Sequence, residues 1–295
     1  MKDPVAVFFV TIIVVCAIAV TGCCAYLLVD GAAEKEEADI QEKLINKYTI
    51  EINTEGNDGT DDTADKTDLG DPKIKPQIPA ENEEINTISG TNTSKKKQVG
   101  GVQVDYSGIK TEVNEDVIGW IKIDGTNVNY PVVQGEDNEY YMTHNVMKNT
   151  AKSGAIFMDA RVNINASPSV YLIYGHASAN KTNPMFSALN GYKNETFLRS
   201  HSYIKLSFQD EGTSLWQIFA VCVVDTETAE EINKYYTISF DNEAEFNDYV
   251  SAIKTQSIYN VDFNGEINEI LELSTCAKPG QHSKERMIIY AAKVG

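Results

Sequence analysis

Aromatic side chains are missing from one long stretch of this chain: residues 49–105 contain no Phe, Trp or Tyr across 57 positions. Such a stretch, rich in Asp, Asn, Thr, Gly and Pro, cannot bury enough apolar surface to offset backbone ordering, and its composition predicts disorder. An excess of basic residues is also missing. Lys and Arg number 25 against 43 Asp and Glu, a formal net charge of −18. A basic face that neutralises phosphates is therefore not expected, and nucleic acid is excluded as a partner. Cysteine is scarce where it could build a framework. Cys16, Cys23 and Cys24 lie in the first apolar stretch, leaving Cys222 and Cys276 in the rest, without Cys-x-x-Cys spacing. A disulfide scaffold and a zinc ribbon are both excluded.

What remains divides into anchor, linker and domain. Residues 5–29 are uncharged. As a helix they would reach roughly 37 Å at about 1.5 Å per residue, enough for a hydrocarbon core of about 30 Å. Lys2 precedes them and Asp30, Glu34, Glu36 and Glu37 follow. That bias puts residues 1–4 in the cytoplasm, 5–29 across the membrane, and the rest outside. Two alternatives keep the domain outside: a cleaved signal peptide, or lipoprotein processing at Val20-Thr21-Gly22-Cys23 with Cys23 lipidated. Residues 30–103 read as an acidic flexible linker. A short polar helix can form over 33–48, although a solvated stalk is the preferred reading. A flexible chain over 30–98 would span about 45 Å, enough for the linker to set how far the domain searches.

Both tryptophans, eight of ten phenylalanines and thirteen of fifteen tyrosines lie from Tyr106 onward, so residues 104–295 form the folded domain. Apolar runs predict strands at 119–123, 128–133, 154–159, 169–174, 203–208, 214–224, 270–275 and 286–293. Asp124-Gly125 marks a tight turn between the first two. Near-continuous apolar runs imply strands covered on both sides and favour a closed barrel. Helices are expected at 106–117, 184–192 and 242–257, the last carrying Phe246, Tyr249, Val250 and Ile253 at helical spacing. The fold class is mostly β: a barrel of about eight strands with peripheral helices.

Three strand-end residues can carry chemistry. Cys276 closes an apolar strand, whereas Cys222 sits within IFAVCVV and reads as packing. Arg286 opens the next strand ten residues on, where a guanidinium can stabilise an oxyanion and favour a thiolate. His176 follows SVYLIY-Gly175 and should project from the rim as acid or base. His282, in the loop after Cys276, is an alternative partner. A metal site from Cys276, His282 and another histidine has no supporting ligand spacing.

Taken together, Tyr174-Gly175-His176 and LSTC-x9-R (Cys276 to Arg286) form a pattern that resembles the sortases, the membrane-anchored cysteine transpeptidases of Gram-positive bacteria, and class B among them. WIKIDGTNVNYPVVQ, DNEYYM, GAIFMD and Met185-Phe186…Leu189 match as well. Residues 242–259 resemble the helical insertion of class B, and the 100-residue step from His176 to Cys276 suits that class. The likeness covers roughly 106–295. It implies a closed eight-stranded sortase-type β-barrel in which Cys276 attacks the threonine carbonyl of a C-terminal sorting motif on a secreted protein. Arg286 would stabilise the oxyanion and His176 would protonate the departing amine. It also implies a motif groove with Asn138 and Met142, and Tyr174 and Ser274 beside the threonine. The acceptor would be an amine of peptidoglycan or its lipid-linked precursor, with no metal and no organic cofactor. A pilin-joining enzyme using a lysine acceptor and a non-enzymatic surface receptor are the alternatives.

Overall fold

The computed structural model describes residues 32–33, 35–51, 102–166, 170–178, 184–279 and 284–295. The membrane span expected at 5–29, Cys23 and His282 lie outside them. Among the described residues no helix is long and apolar enough to cross a membrane.

Eight strands close into a barrel: β3 (Val117–Lys122), β4 (Asn129–Val133), β5 (Phe157–Met158), β6 (Val170–Tyr174), β7 (Tyr203–Phe208), β8 (Gly212–Asp225), β9 (Ile270–Cys276) and β10 (Glu285–Lys293). They are ordered β10-β8-β7-β3-β4-β5-β6-β9, with β10 paired to β9. Two pairs, β4–β5 and β6–β9, are parallel and the rest antiparallel. Closure removes free sheet edges and lets apolar residues fill the interior. Ile121, Val132, Leu172, Leu206, Ile218, Leu271 and Ile289 are all fully buried in one cluster. The turn expected at Asp124-Gly125 joins β3 to β4, with Gly125 at a φ of 76° that a side chain would strain.

Before the barrel come α1 (35–48), β1 (Thr49–Glu51), β2 (Val102–Val104) and α2 (Tyr106–Glu112). Here the linker expectation is corrected twice. First, 33–48 is not a solvated stalk. Leu44 and Tyr48 of α1 are 4% and 5% exposed and pack with Tyr106, Ile109, Trp120 and Tyr141 on the outside of the barrel. Ile40, Leu44 and Tyr48, spaced four apart, form an apolar stripe that the surrounding charges conceal. Second, the linker does not run on as a spacer to residue 103. β1 pairs with β2, Glu51 opposite Val102 and Thr49 opposite Val104.

The helices also differ from expectation in extent. Asp105 caps α2, accepting from the Gly108 amide at 2.9 Å, but the helix stops at Glu112, because Val117 already belongs to β3. The helix expected at 184–192 is a 3-10 run, Phe186–Lys193. α3 (Glu195–Ser200) and α4 (Ala229–Tyr235) were not expected. Thr228 and Glu231 close a capping box on α4. α5 (Glu243–Gln256) forms as the periodicity requires, burying Phe246, Val250 and Ile253.

Candidate active site

The parallel pair β6–β9 sets the site. Its register runs from Val170 opposite Ile270 to Tyr174 opposite Ser274. The pairing continues past the strands: the Gly175 amide donates to Ser274 O at 3.2 Å, and Thr275 Oγ1 donates to Gly175 O at 2.7 Å. His176 and Cys276 each stand two residues beyond one register pair, so both leave the barrel at the same end. Gly175 is required there. A Cβ at that position would lie 2.5 Å from Ile156 Cδ1 and 2.7 Å from the Phe186 ring.

Arg286 is the direct antiparallel partner of Cys276 across β9–β10. Opposed residues of an antiparallel pair project to one face, so the guanidinium and the thiol share a side of the sheet. Both are partly exposed, and Asn190 Nδ2 holds the Cys276 carbonyl at 3.0 Å. Cys222 contrasts in every respect. It is fully buried, and burial pushes its thiol up to about 12. It is a packing residue, as its place inside a strand suggested. Position alone therefore separates a nucleophile candidate from a filler cysteine.

His176 is partly exposed, with Nε2 2.8 Å from the Met142 carbonyl oxygen. Its own carbonyl accepts from the Phe186 amide at 2.9 Å, and Ala177 bridges Met185. Two anchored segments thus fix the ring from either side.

The four residues expected in the motif groove divide. Met142 is 43% exposed and lies on the His176 side. Asn138 is partly buried, its Oδ1 accepting from the Ala160 amide at 2.7 Å, which fixes the corner after β5. Tyr174 donates its hydroxyl to Asp159 Oδ2 at 2.9 Å. Ser274 is buried, with its Oγ 2.9 Å from the Tyr236 hydroxyl. Asn138, Tyr174 and Ser274 are thus joined to the protein's own polar groups.

The centre of that polar web is Asp159, fully buried at the end of GAIFMD. Arg161 Nε and Nη2 donate to its two oxygens at 2.8 Å each, and Tyr174 adds a third side-chain bond. Burial pushes the carboxyl up, but Arg161 and Tyr174 more than offset it, so it rests below the usual carboxylate range. Asp159, Arg161, Tyr236 and Asn190 were not singled out from sequence. Only Asp159, closing a matched motif, carried any signal. Among the described residues no group of three His, Cys, Asp or Glu is placed to hold a metal. A separate cavity of about 390 Å³ lies between α1 and the barrel, lined in part by Glu37, Gln41, Tyr130 and Met185, and includes none of the candidate residues.

A closed barrel presenting a cysteine, an arginine and a histidine at one end defines a thiol-dependent acyl-transfer enzyme. Comparison with known proteins agrees. The sortase domain family matches residues 121–294. Sortase B of Listeria monocytogenes is 33% identical over 181 residues, covering 60% of this chain and 70% of the relative. The structure of Clostridium perfringens sortase B superposes with a TM-score of 0.57 at 31% identity, covering 64% of this chain and 99% of that one. A Staphylococcus aureus sortase B–substrate complex gives 0.57 at 27%, covering 64% and 84%. The chain belongs to the sortase family, class B, and is a cysteine transpeptidase.

Proposed function

We propose that this enzyme cleaves a C-terminal sorting motif of secreted proteins after threonine and transfers the protein to an amine of peptidoglycan or its lipid-linked precursor. Cys276 Sγ attacks the threonine carbonyl, and the C–S bond forms as a tetrahedral oxyanion. Arg286 donates to that oxygen, whose negative charge is what its guanidinium suits. The C–N bond then breaks, and His176 gives the departing amine its proton, leaving a thioester on Cys276. An acceptor amine attacks the thioester, a new amide C–N bond forms, and the thiolate leaves. The amine's surplus proton returns to His176. Splitting one hard amide exchange into two easier steps is the use of the thioester.

The observation that carries this reading is the shared register: Arg286 opposite Cys276, and His176 level with Cys276 beyond the Tyr174–Ser274 pair. The substrate complex of the S. aureus relative supports a peptide groove at this end, with Met142 exposed to a ligand. Residues 5–29 are proposed to span the membrane, with residues 1–4 cytoplasmic and the domain on the outer face. A lysine acceptor on a pilin is the alternative for the second step. The test is incubation with a library of sorting-motif peptides and mass spectrometry of the protein. A mass addition on Cys276 ending at threonine is expected. Cleavage without any adduct on Cys276 would overturn it.

A further inference from the structure

Alternate residues of a strand share a face, and on β9 one face carries Glu272, Ser274 and Cys276. The connection containing α4 and α5 covers that face unequally. Cys276 is partly open, Ser274 lies under the Tyr236 hydroxyl, and Glu272 is fully buried beneath Tyr249 of α5. A buried carboxyl there is unexpected in an otherwise apolar strand end, and the transpeptidation steps make no use of it.

The hydrogen bonds around it accommodate a neutral acid. The Tyr249 hydroxyl is 3.0 Å from Tyr235 O and 3.2 Å from Glu272 Oε2. A phenol has one hydrogen, and a carbonyl can only accept. The Tyr249 hydrogen can serve Tyr235 O or Glu272 Oε2 but not both in full, and a protonated carboxyl donating back to the phenol satisfies both contacts. The remaining oxygen, Glu272 Oε1, is buried without a hydrogen-bond partner among the described residues, and Tyr290, its register partner on β10, sets its hydroxyl against Tyr249. No described salt bridge reaches Glu272, and the guanidinium that acts on it from a distance, that of Arg161, is bound to Asp159. An ionised carboxylate here would be a buried, uncompensated charge.

We propose that Glu272 is a positioning residue, held as a neutral carboxylic acid, that fastens α5 and the Tyr235–Tyr236 corner onto the strand bearing Cys276. The chain of contacts runs from Glu272 to Tyr249, from Tyr249 to the Tyr235 carbonyl, and from the adjacent Tyr236 hydroxyl to Ser274, two residues before the nucleophile. Glu272 thereby sets the wall beside Cys276 without touching substrate. The groups facing it are Tyr249 of α5, Tyr290 of β10, Cys222 of β8, Tyr236 after α4, and Asp159 with Arg161 after β5. Burial raises its carboxyl well above the usual range. Ionisation at alkaline pH would release the wall.

The test uses the full chain with Glu272→Gln, Glu272→Leu and Tyr249→Phe. The infrared difference between wild type and Glu272→Gln at neutral pH is expected to contain a protonated-carboxyl band; a carboxylate band in its place overturns the neutral acid. The kinetic arm rests on the transpeptidase reading. Glu272→Gln is expected to keep KM and kcat, while Glu272→Leu and Tyr249→Phe raise KM for the sorting peptide about fivefold with kcat little changed. The rise of KM at alkaline pH should disappear in Glu272→Gln. Wild-type KM in Tyr249→Phe, which keeps the ring and the fold, overturns the positioning role even if Glu272→Leu is unfolded. A protonated-carboxyl band in a protein that turns over no peptide would instead refute the transpeptidase reading and leave the neutral acid standing.

Discussion

Cys276 and Arg286 face each other directly in the β9–β10 pair, ten residues apart in sequence and on the same rung of the ladder in space. The strand register, rather than the loop between them, fixes their relation. That has a consequence for replacing either one. Arg286→Lys keeps the charge but not the planar fork of donors. Turnover of a sorting peptide should fall about a hundredfold or more, the range seen on losing one oxyanion donor. Turnover near wild type in steady-state assays would show that Arg286 acts only as a distant charge.

The two cysteines of the domain should separate cleanly. Cys276→Ala is expected to abolish cleavage and transfer with little change in thermal stability, because the side chain is partly exposed. Cys222→Ala should keep activity and lose about 1–2 kcal/mol through a small cavity. Peptide assays and denaturant melts on both variants check this.

His176→Ala should be almost inactive yet folded, since its ring makes one hydrogen-bond contact, to the Met142 carbonyl. His282→Ala is expected to lose less than about tenfold, against a general acid–base contribution of about 100-fold or more. The reverse ordering in kcat would move the proton donor to the loop after β9.

Asp159 should give the domain a measurable acid response. Its carboxyl lies below its unfolded value, so its stabilisation is present above the unfolded pKa and is lost as pH falls through the folded one. Arg161→Met removes the main offset to burial. The variant should be about 1–3 kcal/mol less stable at neutral pH and should unfold at a higher pH than wild type on acid titration. Overlapping acid-unfolding curves would mean that the pair contributes nothing.

Deleting residues 53–97 should leave peptide cleavage unchanged and raise stability. Shortening the chain between two fixed ends tenfold lowers its closure cost by about 2 kcal/mol. Leu44→Ala, by contrast, should cost about 2–5 kcal/mol, which no solvated stalk would. Equilibrium unfolding of the two variants beside wild type makes the comparison.

Much of this was readable in advance because it depends on short-range pattern. Apolar runs ending in Gly-His and in Ser-Thr-Cys locate strand ends, and parallel register then brings those ends together. The missed parts depend on long-range partners. Phe157–Met158 is a two-residue strand because the chain bends on either side of it, which GAIFMD does not reveal. Tyr236 lies in an unpatterned stretch and gains its place only when α4 and α5 fold back over β9. Asp159 reads as a strand-end acid until Arg161 and Tyr174 close on it. Glu272 reads as a polar residue in a strand, and nothing local says that it is sealed. The α1 stripe was present in the sequence but sits among acids and lysines that suggested solvent on every side.

The pairing of Thr49–Glu51 with Val102–Val104 turns residues 52–101 into a detour, since the chain leaves and re-enters the fold at neighbouring points. The Asp105 amide is 2.8 Å from Tyr48 O however long the intervening segment is. Its length can therefore vary without displacing the barrel by an ångström. The leash that matters is the stretch between residue 29 and the first described helical residue, 32, at most about 10 Å when fully extended. Were residues 5–29 to span a bilayer as proposed, so short a connection would hold the enzyme near the lipid surface, and the peptides it joins would have to come to it there.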